Sequence, residues 1–165
     1  MDYTGILIKI RKIVRSINLE SKKIQKEYGI SIPQILCLNY LHQCENFQST
    51  HNLIKEYLNL NSSTVTGIVN RLEKKGLIAR LPKFGDKRVT NIALTSAGDR
   101  LLEQLPPLLH ERLSNKLEKH SSEQIAEIDN ALNLLIQLFE IEELDASPMI
   151  TGEQLEDLST TSEAG

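Results

Sequence analysis

The sequence predicts a mainly α-helical fold with one short β-hairpin, and three observations support this prediction. First, residues 61–75 carry their apolar side chains on one helical face, at Val65, Ile68, Val69 and Leu72. Second, two strand-like segments, 77–81 and 89–95, enclose a basic tip. Third, apolar residues recur at helical spacing near both ends of the chain. Helix, strand, basic tip and strand in this order predict a winged helix-turn-helix with a two-stranded β-wing, flanked by N- and C-terminal helices.

The first two helices are predicted from apolar spacing and from end signals. A 4-3-4 spacing indicates a long first helix ending at Tyr28-Gly29, and its apolar residues are Ile6, Ile10, Ile13 and Ile17. Ser31 suits the N-cap and Pro33 the first turn of a second helix that runs to about Gln43. Residues 46–49 are predicted to form a loop.

The next two helices are separated by a tight turn. Thr50 is a suitable N-cap for a third helix that ends near Leu58. Asn59 then begins the turn, because asparagine tolerates the left-handed conformation best after glycine. Asn61 is the predicted N-cap of the fourth helix.

The outer face of the fourth helix carries hydroxyls, an amide and cations, which are the groups that contact base edges and phosphates. Glycine inside a helix is less favourable than alanine by about 1 kcal/mol, so Gly67 indicates a face that another surface approaches closely. A merely solvated face is the alternative, but serine, threonine, glycine and asparagine are poor helix formers. The residues on or beside this face are Ser63, Thr66, Gly67, Asn70, Arg71 and Lys74.

The segment after this helix is predicted to be a basic wing. Gly76 is placed to end the helix in the left-handed conformation, and residues 83–88 form the tip between the two strands. Residues 61–90 contain seven basic side chains against two acids, a net charge of plus five that is typical of a nucleic-acid site. The seven are Arg71, Lys74, Lys75, Arg80, Lys83, Lys87 and Arg88.

These motifs resemble a known family. STVTGIVNRLEKKGLI, then DKR in the wing, then ALTSAG are similar to the multiple-antibiotic-resistance regulator (MarR) family of bacterial transcription factors, over about residues 1–144. The resemblance implies that Arg88 enters the DNA minor groove while Asp86 orients it. The wing and LESKKIQKEYGISIPQILCL also resemble the branch that represses ectoine synthesis, which implies an osmotic-stress role. The predicted DNA-binding residues are Ser62, Ser63, Thr64, Thr66, Gly67, Asn70, Arg71, Lys74, Lys83, Asp86, Lys87 and Arg88.

The C-terminal part of the chain predicts further helices and a second subunit. After the Thr95 cap, a helical pattern runs to about His120 with an expected kink at Pro106-Pro107, and a last helix follows from Ser121. These apolar helices exceed what one winged helix can cover, so we expect an obligate homodimer. Its predicted contacts are Ile6, Ile10, Ile13, Ile17, Ile128, Leu132, Leu135 and Phe139.

This reading divides the chain into three regions. Residues 1–30 and 96–144 form a helical dimerisation region, 31–95 the winged helix DNA-binding domain, and 145–165 an acidic tail expected to be disordered. The tail contains five acidic and no basic residues. The formal net charge of the whole chain is −3, so residues 1–144 carry a net charge of plus two. The absence of a membrane-length apolar run or a secretory signal favours the cytoplasm.

The remaining reactive residues predict no catalytic or metal chemistry. No catalytic set or phosphate loop is recognisable and the histidines are scattered, so we expect no enzyme, cofactor or metal site. Cys37 and Cys44 are about 10.5 Å apart along one helix, too far for a disulfide within one subunit. Cys37 is predicted to be a buried core residue, and Cys44 is the more exposed thiol.

The predicted function is a sequence-specific transcriptional regulator, most simply a repressor that binds an inverted-repeat operator in double-stranded DNA. Two-fold symmetry would place the two fourth helices about 34 Å apart, one turn of DNA. Two alternatives stay open: a sensor released from DNA by a small aromatic anion, and a winged-helix protein-docking module that does not bind DNA. The sequence marks no effector pocket.

Overall fold

A computed structural model describes residues 2–83, 85 and 88–144. Its helices are α1 (Thr4–Tyr28), α2 (Ile32–Gln43), α3 (His51–Leu58), α4 (Ser62–Lys74), α5 (Ser96–Gln104), α6 (Leu109–Leu117) and α7 (Ser122–Phe139), with a 3-10 turn at Glu45–Phe47. Its strands are β1 (Gln48–Thr50), β2 (Ile78–Arg80) and β3 (Asn91–Leu94). The predicted fold class, a mainly α winged helix-turn-helix, is confirmed. The predicted tail, 145–165, lies outside the described residues.

The helices begin at the predicted capping residues because each cap side chain accepts a bond from a backbone N–H three residues ahead. Ser31 forms a full capping box with Gln34 at the start of α2. The other four caps accept at 2.8–3.2 Å, and they are Thr50, Asn61, Thr95 and Ser121.

Left-handed residues end three helices where the sequence predicts them. Gly29 follows α1 with a φ of 66°, and Asn59 follows α3 with a φ of 51°. Gly76, with a φ of 73°, follows α4. The amide of Leu77 then bonds the carbonyl of Leu72 at 3.0 Å, which closes α4 with a Schellman motif.

The wing sheet has three strands rather than the predicted two. Residues 48 and 49, predicted to lie in a loop, and the cap residue Thr50 pair antiparallel with β3, and the strand order is β1-β3-β2. Ser49 lies opposite Ile92 in this pairing and is buried. Three residues are too few to show a strand alternation, and the pairing depends on β3, which lies about 40 residues further along the chain.

Pro106 and Pro107 interrupt the helix completely, where the sequence predicted only a kink. α5 ends at Gln104 and α6 starts only at Leu109, so residues 105–108 separate two helices. Two consecutive prolines lack N–H donors, and each disfavours helical geometry in the residue before it. Leu108 is buried and its N–H bonds Glu111 at 2.9 Å, which starts α6 without a polar cap residue.

Helix α2 is the centre of the core. Its residues from Ile32 to Leu38, and Leu41, are all buried, and it contacts α1, α3, α4, α5 and the sheet. A helix that is apolar on every side must be covered on every side. α4 therefore rests its apolar face, Val65 to Leu72, on a fixed support and presents the opposite face to solvent.

The terminal helices differ from this core. α1 buries only Ile17 and Ile24, and α7 buries no residue. Ile17 is covered by its own chain, with 7% exposed, although it was predicted to contact a second subunit. In contrast, Ile13, Leu132 and Phe139 are about half exposed. Within the described ranges, no helix combines the length and apolar character that a membrane span requires.

Candidate nucleic-acid interface

The predicted contact residues of α4 come together on its outer face. Val65, Ile68, Val69 and Leu72 are at most 3% exposed, so the opposite side of the helix faces solvent. Thr64 and Gly67 are partly covered. The exposed residues are Ser62, Ser63, Thr66, Asn70, Arg71 and Lys74. With Gly67 they define the outer face of α4.

Hydroxyl hydrogens at the start of α4 are already used within the chain. Ser63 Oγ donates to Asn61 Oδ1 at 2.7 Å, and Thr66 Oγ1 donates to the Ser62 carbonyl at 2.9 Å. Thr66 therefore accepts from His51 Nε2 at 3.1 Å, which requires a hydrogen on that nitrogen. Ser63 and Thr66 are both exposed, and each hydroxyl oxygen retains capacity to accept a hydrogen bond.

His51 is a neighbour of the site that the sequence analysis missed. It is the first residue of α3 and lies fifteen residues before Thr66, so no local pattern connects the two. Its own amide bonds the carbonyl of Thr90 at 3.3 Å, which ties the start of α3 to the wing.

Arg80 is the second residue with an unpredicted role. Its Nη2 donates to Asn70 Oδ1 at 2.6 Å, and its Nη1 pairs with the Glu73 carboxylate. From the sequence, Arg80 was predicted only as one of seven basic side chains. In the structure its guanidinium is paired with side chains of α4.

Gly67 has no steric requirement inside the chain. A Cβ at this position would lie 3.8 Å from Arg71 Nη1, which is ordinary van der Waals contact. Alanine would therefore fit and would favour the helix by about 1 kcal/mol. Packing within the subunit therefore gives no reason for glycine at this position.

The wing contributes Lys83 and Arg88, both exposed, on either side of Gly85, whose φ is 76°. A cleft of about 320 Å³ separates the start of α3 from this side of the wing. Thr50, His51, Asn52, Arg88, Val89 and Thr90 line it. Asp86 and Lys87 lie outside the described residues.

The basic side chains of this region differ in the contacts that they make within the chain. Lys75 Nζ contacts the Gly29 carbonyl and Gln34 Oε1, which places it at the end of α1. Arg80 is paired as above. Arg71, Lys74, Lys83 and Arg88 are exposed as well, on the outer face of α4 and in the wing.

The end of α4 is locked to α5 by the Leu94-to-Gly98 turn. Thr95 Oγ1 donates to the Gly76 carbonyl at 2.7 Å and accepts from the Gly98 amide at 3.1 Å. A Cβ at Gly98 would overlap the Leu77 carbonyl oxygen and lie 2.7 Å from Leu94 Cδ1. This glycine is required by close packing, which holds the wing and α4 in register.

The cysteines lie apart from this surface. Cys37 is fully buried in α2, and burial raises the pKa of its thiol to about 12. The prediction of a core cysteine is confirmed, and Cys44 is the more exposed one. In the described part of the chain, no group of three His, Cys, Asp or Glu side chains is placed to hold a metal ion.

A solvent-facing helix with base-reading groups, supported by a helix-turn-helix and followed by a basic wing, defines a winged-helix transcriptional regulator. The chain belongs to the MarR family, whose sequence pattern matches residues 30–90. The organic hydroperoxide resistance transcriptional regulator of Bacillus subtilis (strain 168) is 31% identical over 123 residues, which cover 74% of this chain and 81% of the relative.

Solved structures share the fold of this chain. The S. aureus MepR–DNA complex has a TM-score of 0.62 at 24% identity, covering 83% of this chain and 98% of that one. Streptococcus pneumoniae FabT in complex with DNA has a TM-score of 0.56 at 25% identity, covering 84% and 98%. The prediction that the chain is not an enzyme is confirmed by the family, since its members are DNA-binding transcriptional regulators.

Proposed function

We propose that this regulator represses transcription by binding an inverted-repeat operator as a homodimer, with α4 in the major groove and the wing at the adjacent minor groove. The observation that carries the proposal is Gly67 at the centre of the outer face of α4, where the chain itself has room for a side chain. The major groove admits an α-helix, and close approach favours a position without a side chain.

The residues around Gly67 suit this groove. Arg71 and Lys74 supply cations for phosphates, while Ser63 and Thr66 present hydroxyl oxygens and Asn70 an amide. FabT, a relative in fold at 25% identity, was solved in complex with DNA, which supports the same partner for this chain.

The wing is proposed to reach the minor groove through Arg88. A narrow minor groove concentrates negative potential, and a guanidinium on a hairpin can enter it. Lys83 and Lys87 would contact phosphates beside it. The orientation of Arg88 by Asp86 is part of the same proposal and is carried by the family resemblance.

A second copy of the chain is proposed to cover the terminal helices. The exposed apolar side chains of α1 and α7 form a surface that water disfavours, and regions 1–30 and 96–144 are its dimerisation elements. Two-fold symmetry then places both α4 helices on one face of the duplex, about one turn apart. The proposed contacts that a partner could cover are Ile6, Ile10, Ile13, Ile128, Leu132, Leu135 and Phe139.

Fluorescence-anisotropy titration of an operator, selected from random duplexes by the wild-type protein, tests this proposal. Arg88→Ala should weaken binding by about 1–3 kcal/mol per subunit without changing the melting temperature. Arg100→Ala is the matched control, because Arg100 is exposed on α5, outside the proposed surface. Equal affinities for the two variants would exclude the wing role, and failure of the wild type to bind duplex DNA at low salt would favour a protein-docking module.

The signal is proposed to be osmotic, through the ionic strength at the DNA interface. Log affinity falls with log salt by about 0.9 for each phosphate contact, so four to five contacts per subunit give a slope near −8. Doubling the salt would then weaken binding roughly two-hundredfold. A slope shallower than about −3, or release by one phenolic acid at constant salt, would favour the ligand-released sensor and would count against control of ectoine genes by salt.

A further inference from the structure

Arg80 lies outside the set of proposed DNA contacts, yet its side chain connects the sheet to the outer face of α4. Arg80 ends β2, and its guanidinium reaches Asn70 at 2.6 Å and also pairs with Glu73. Asn70 and Glu73 are three residues apart, so they are neighbours on the helix surface. One forked side chain therefore holds an outward-facing amide in a fixed position.

The contact decides which end of the Asn70 amide is available to DNA. A guanidinium has five N–H donors and no acceptor, so the Asn70 atom that faces it must be the carbonyl oxygen. The NH₂ group is then on the other side of the amide, with two hydrogens to donate. Asn70 and Glu73 are both exposed, so the arrangement is open to a ligand.

The base that Asn70 can select follows from this orientation. A freely turning asparagine reads adenine by accepting from N6 and donating to N7. Here Arg80 occupies one side of the Asn70 oxygen and turns it toward the end of β2, so the NH₂ group is the end of the amide that faces away from Arg80. Guanine presents two acceptors, N7 and O6, in the major groove, whereas adenine presents one acceptor beside a donor.

We propose that Arg80 is a specificity-determining positioning residue, which holds Asn70 as a hydrogen-bond donor so that each subunit selects guanine over adenine at one operator position. The proposal rests on the proposed function, in which α4 enters the major groove. Because the Glu73 carboxylate already pairs with the Arg80 guanidinium, we expect Arg80 itself to add no phosphate contact. Base preference therefore reports on Arg80, and the salt dependence of binding reports on the surface lysines.

The test uses the full chain and single-base variants of the operator selected by the wild-type protein. Arg80→Ala should reduce the guanine-over-adenine preference at the Asn70 position by about tenfold, the lower part of the range for a good base contact. The slope of log affinity against log salt should not change. Arg80→Lys should restore part of the preference, because an ammonium can still donate to the Asn70 oxygen.

Two further comparisons identify Asn70 as the residue through which Arg80 acts. In an Asn70→Ala background, Arg80→Ala should reduce the preference no further, because both substitutions remove one coupled contact. Replacing the selected guanine by 2-aminopurine, which keeps the N7 acceptor but lacks O6, should weaken binding of the wild type and leave Asn70→Ala unaffected.

Lys74→Ala is the matched control, since Lys74 is exposed one turn further along α4. It should make the slope of log affinity against log salt less steep by about 0.9 per subunit and leave base preference unchanged. The proposal is overturned if Arg80→Ala keeps the full guanine preference, if it lowers the salt slope as Lys74→Ala does, or if the wild type prefers adenine there. A wild type that binds all duplexes equally would overturn the proposed function as well. Equal melting temperatures of the variants check that the fold is intact.

Discussion

The core helix α2 and the terminal helix α7 are both rich in leucine and isoleucine, yet their environments are opposite. α2 buries all its large apolar residues except Tyr40, which is half-buried, whereas α7 buries none of its residues. α2 is enclosed by helices and a sheet from its own chain, and α7 has too few neighbours in one subunit to cover it. Apolar patterning therefore predicts that a helix has a face suited to burial, but it does not predict whether the same subunit covers that face.

The largest expected effect comes from charging α7. Leu132→Glu combined with Leu135→Glu should convert the proposed dimer into monomers, because carboxylates would be desolvated in the proposed contact. Sedimentation velocity measures the change in mass, and operator affinity should fall more than a hundredfold because one monomer contacts one half-site. Gln137→Glu adds a charge at a polar position of α7 and should leave the dimer intact. A charged variant that still sediments as the wild type would show that α7 needs no partner.

Gly98→Ala, where α5 packs against Leu77 after α4, should have the next largest effect. The new Cβ would overlap the Leu77 carbonyl, so the end of α4 and the start of α5 must separate. Overpacking of this kind lowers the free energy of unfolding by about 1–3 kcal/mol, measurable by urea denaturation. Gly5→Ala on α1 is the control, because a Cβ there meets no atom within 4 Å. Equal stabilities of the two variants would contradict the close-packing role.

Gly67→Ala should act in opposite directions on stability and on binding. The chain accommodates the Cβ, so the free energy of unfolding should rise by about 0.5–1 kcal/mol. Operator affinity should fall, because the methyl group occupies the proposed docking surface. Urea denaturation and anisotropy titration on the same preparation measure both quantities, and an increase in both would remove the support for close approach at Gly67.

Thiol labelling should distinguish the inside of α2 from its end. With the pKa of Cys37 near 12, its thiolate fraction at pH 8 is about 10⁻⁴. Iodoacetamide should therefore modify Cys44 in the native protein and Cys37 only after unfolding, as measured by mass spectrometry. Rapid native labelling of Cys37 would reopen a redox role for that residue.

The smallest effect is expected where α1 meets α6. Burial raises the pKa of Glu20, although Arg112 lies 3.4 Å away and the Leu109 amide donates to the carboxylate. A carboxyl whose pKa is raised by folding adds stability below its unfolded pKa, and this stability is lost as the pH rises through the folded value. Glu20→Gln should therefore flatten the pH dependence of the melting temperature above about pH 4, as measured by thermal unfolding at a series of pH values. An unchanged pH dependence would contradict the role of Glu20.

The starts of five helices could be predicted because each depends on residues three positions apart. Ser31, Thr50, Asn61, Thr95 and Ser121 cap their helices without reference to the rest of the chain. The outer face of α4 was predictable for a similar reason, since the helical period alone separates it from Val65 and Leu72. These features are local, and the tertiary structure leaves them in place.

Partners distant in the chain could not be predicted in this way. The strand at 48–50 exists because β3 offers an unpaired edge, and Ile17 is buried because other parts of the same subunit cover it. The sequence shows Arg80 only as one of seven basic side chains. In the structure its guanidinium forms an ion pair with Glu73 and donates a hydrogen bond to Asn70.

The sequence by itself thus determined where five helices begin and three end, which face of α4 is polar, and where the positive charge is concentrated. Only the tertiary structure decided which of those charges face outward, which end of the Asn70 amide is available, and which glycine is required by the subunit and which is not. The physical reason is that caps and helical periods are set within one or two turns. Hydrogen-bond orientation and steric room depend on atoms that folding brings together from far along the chain.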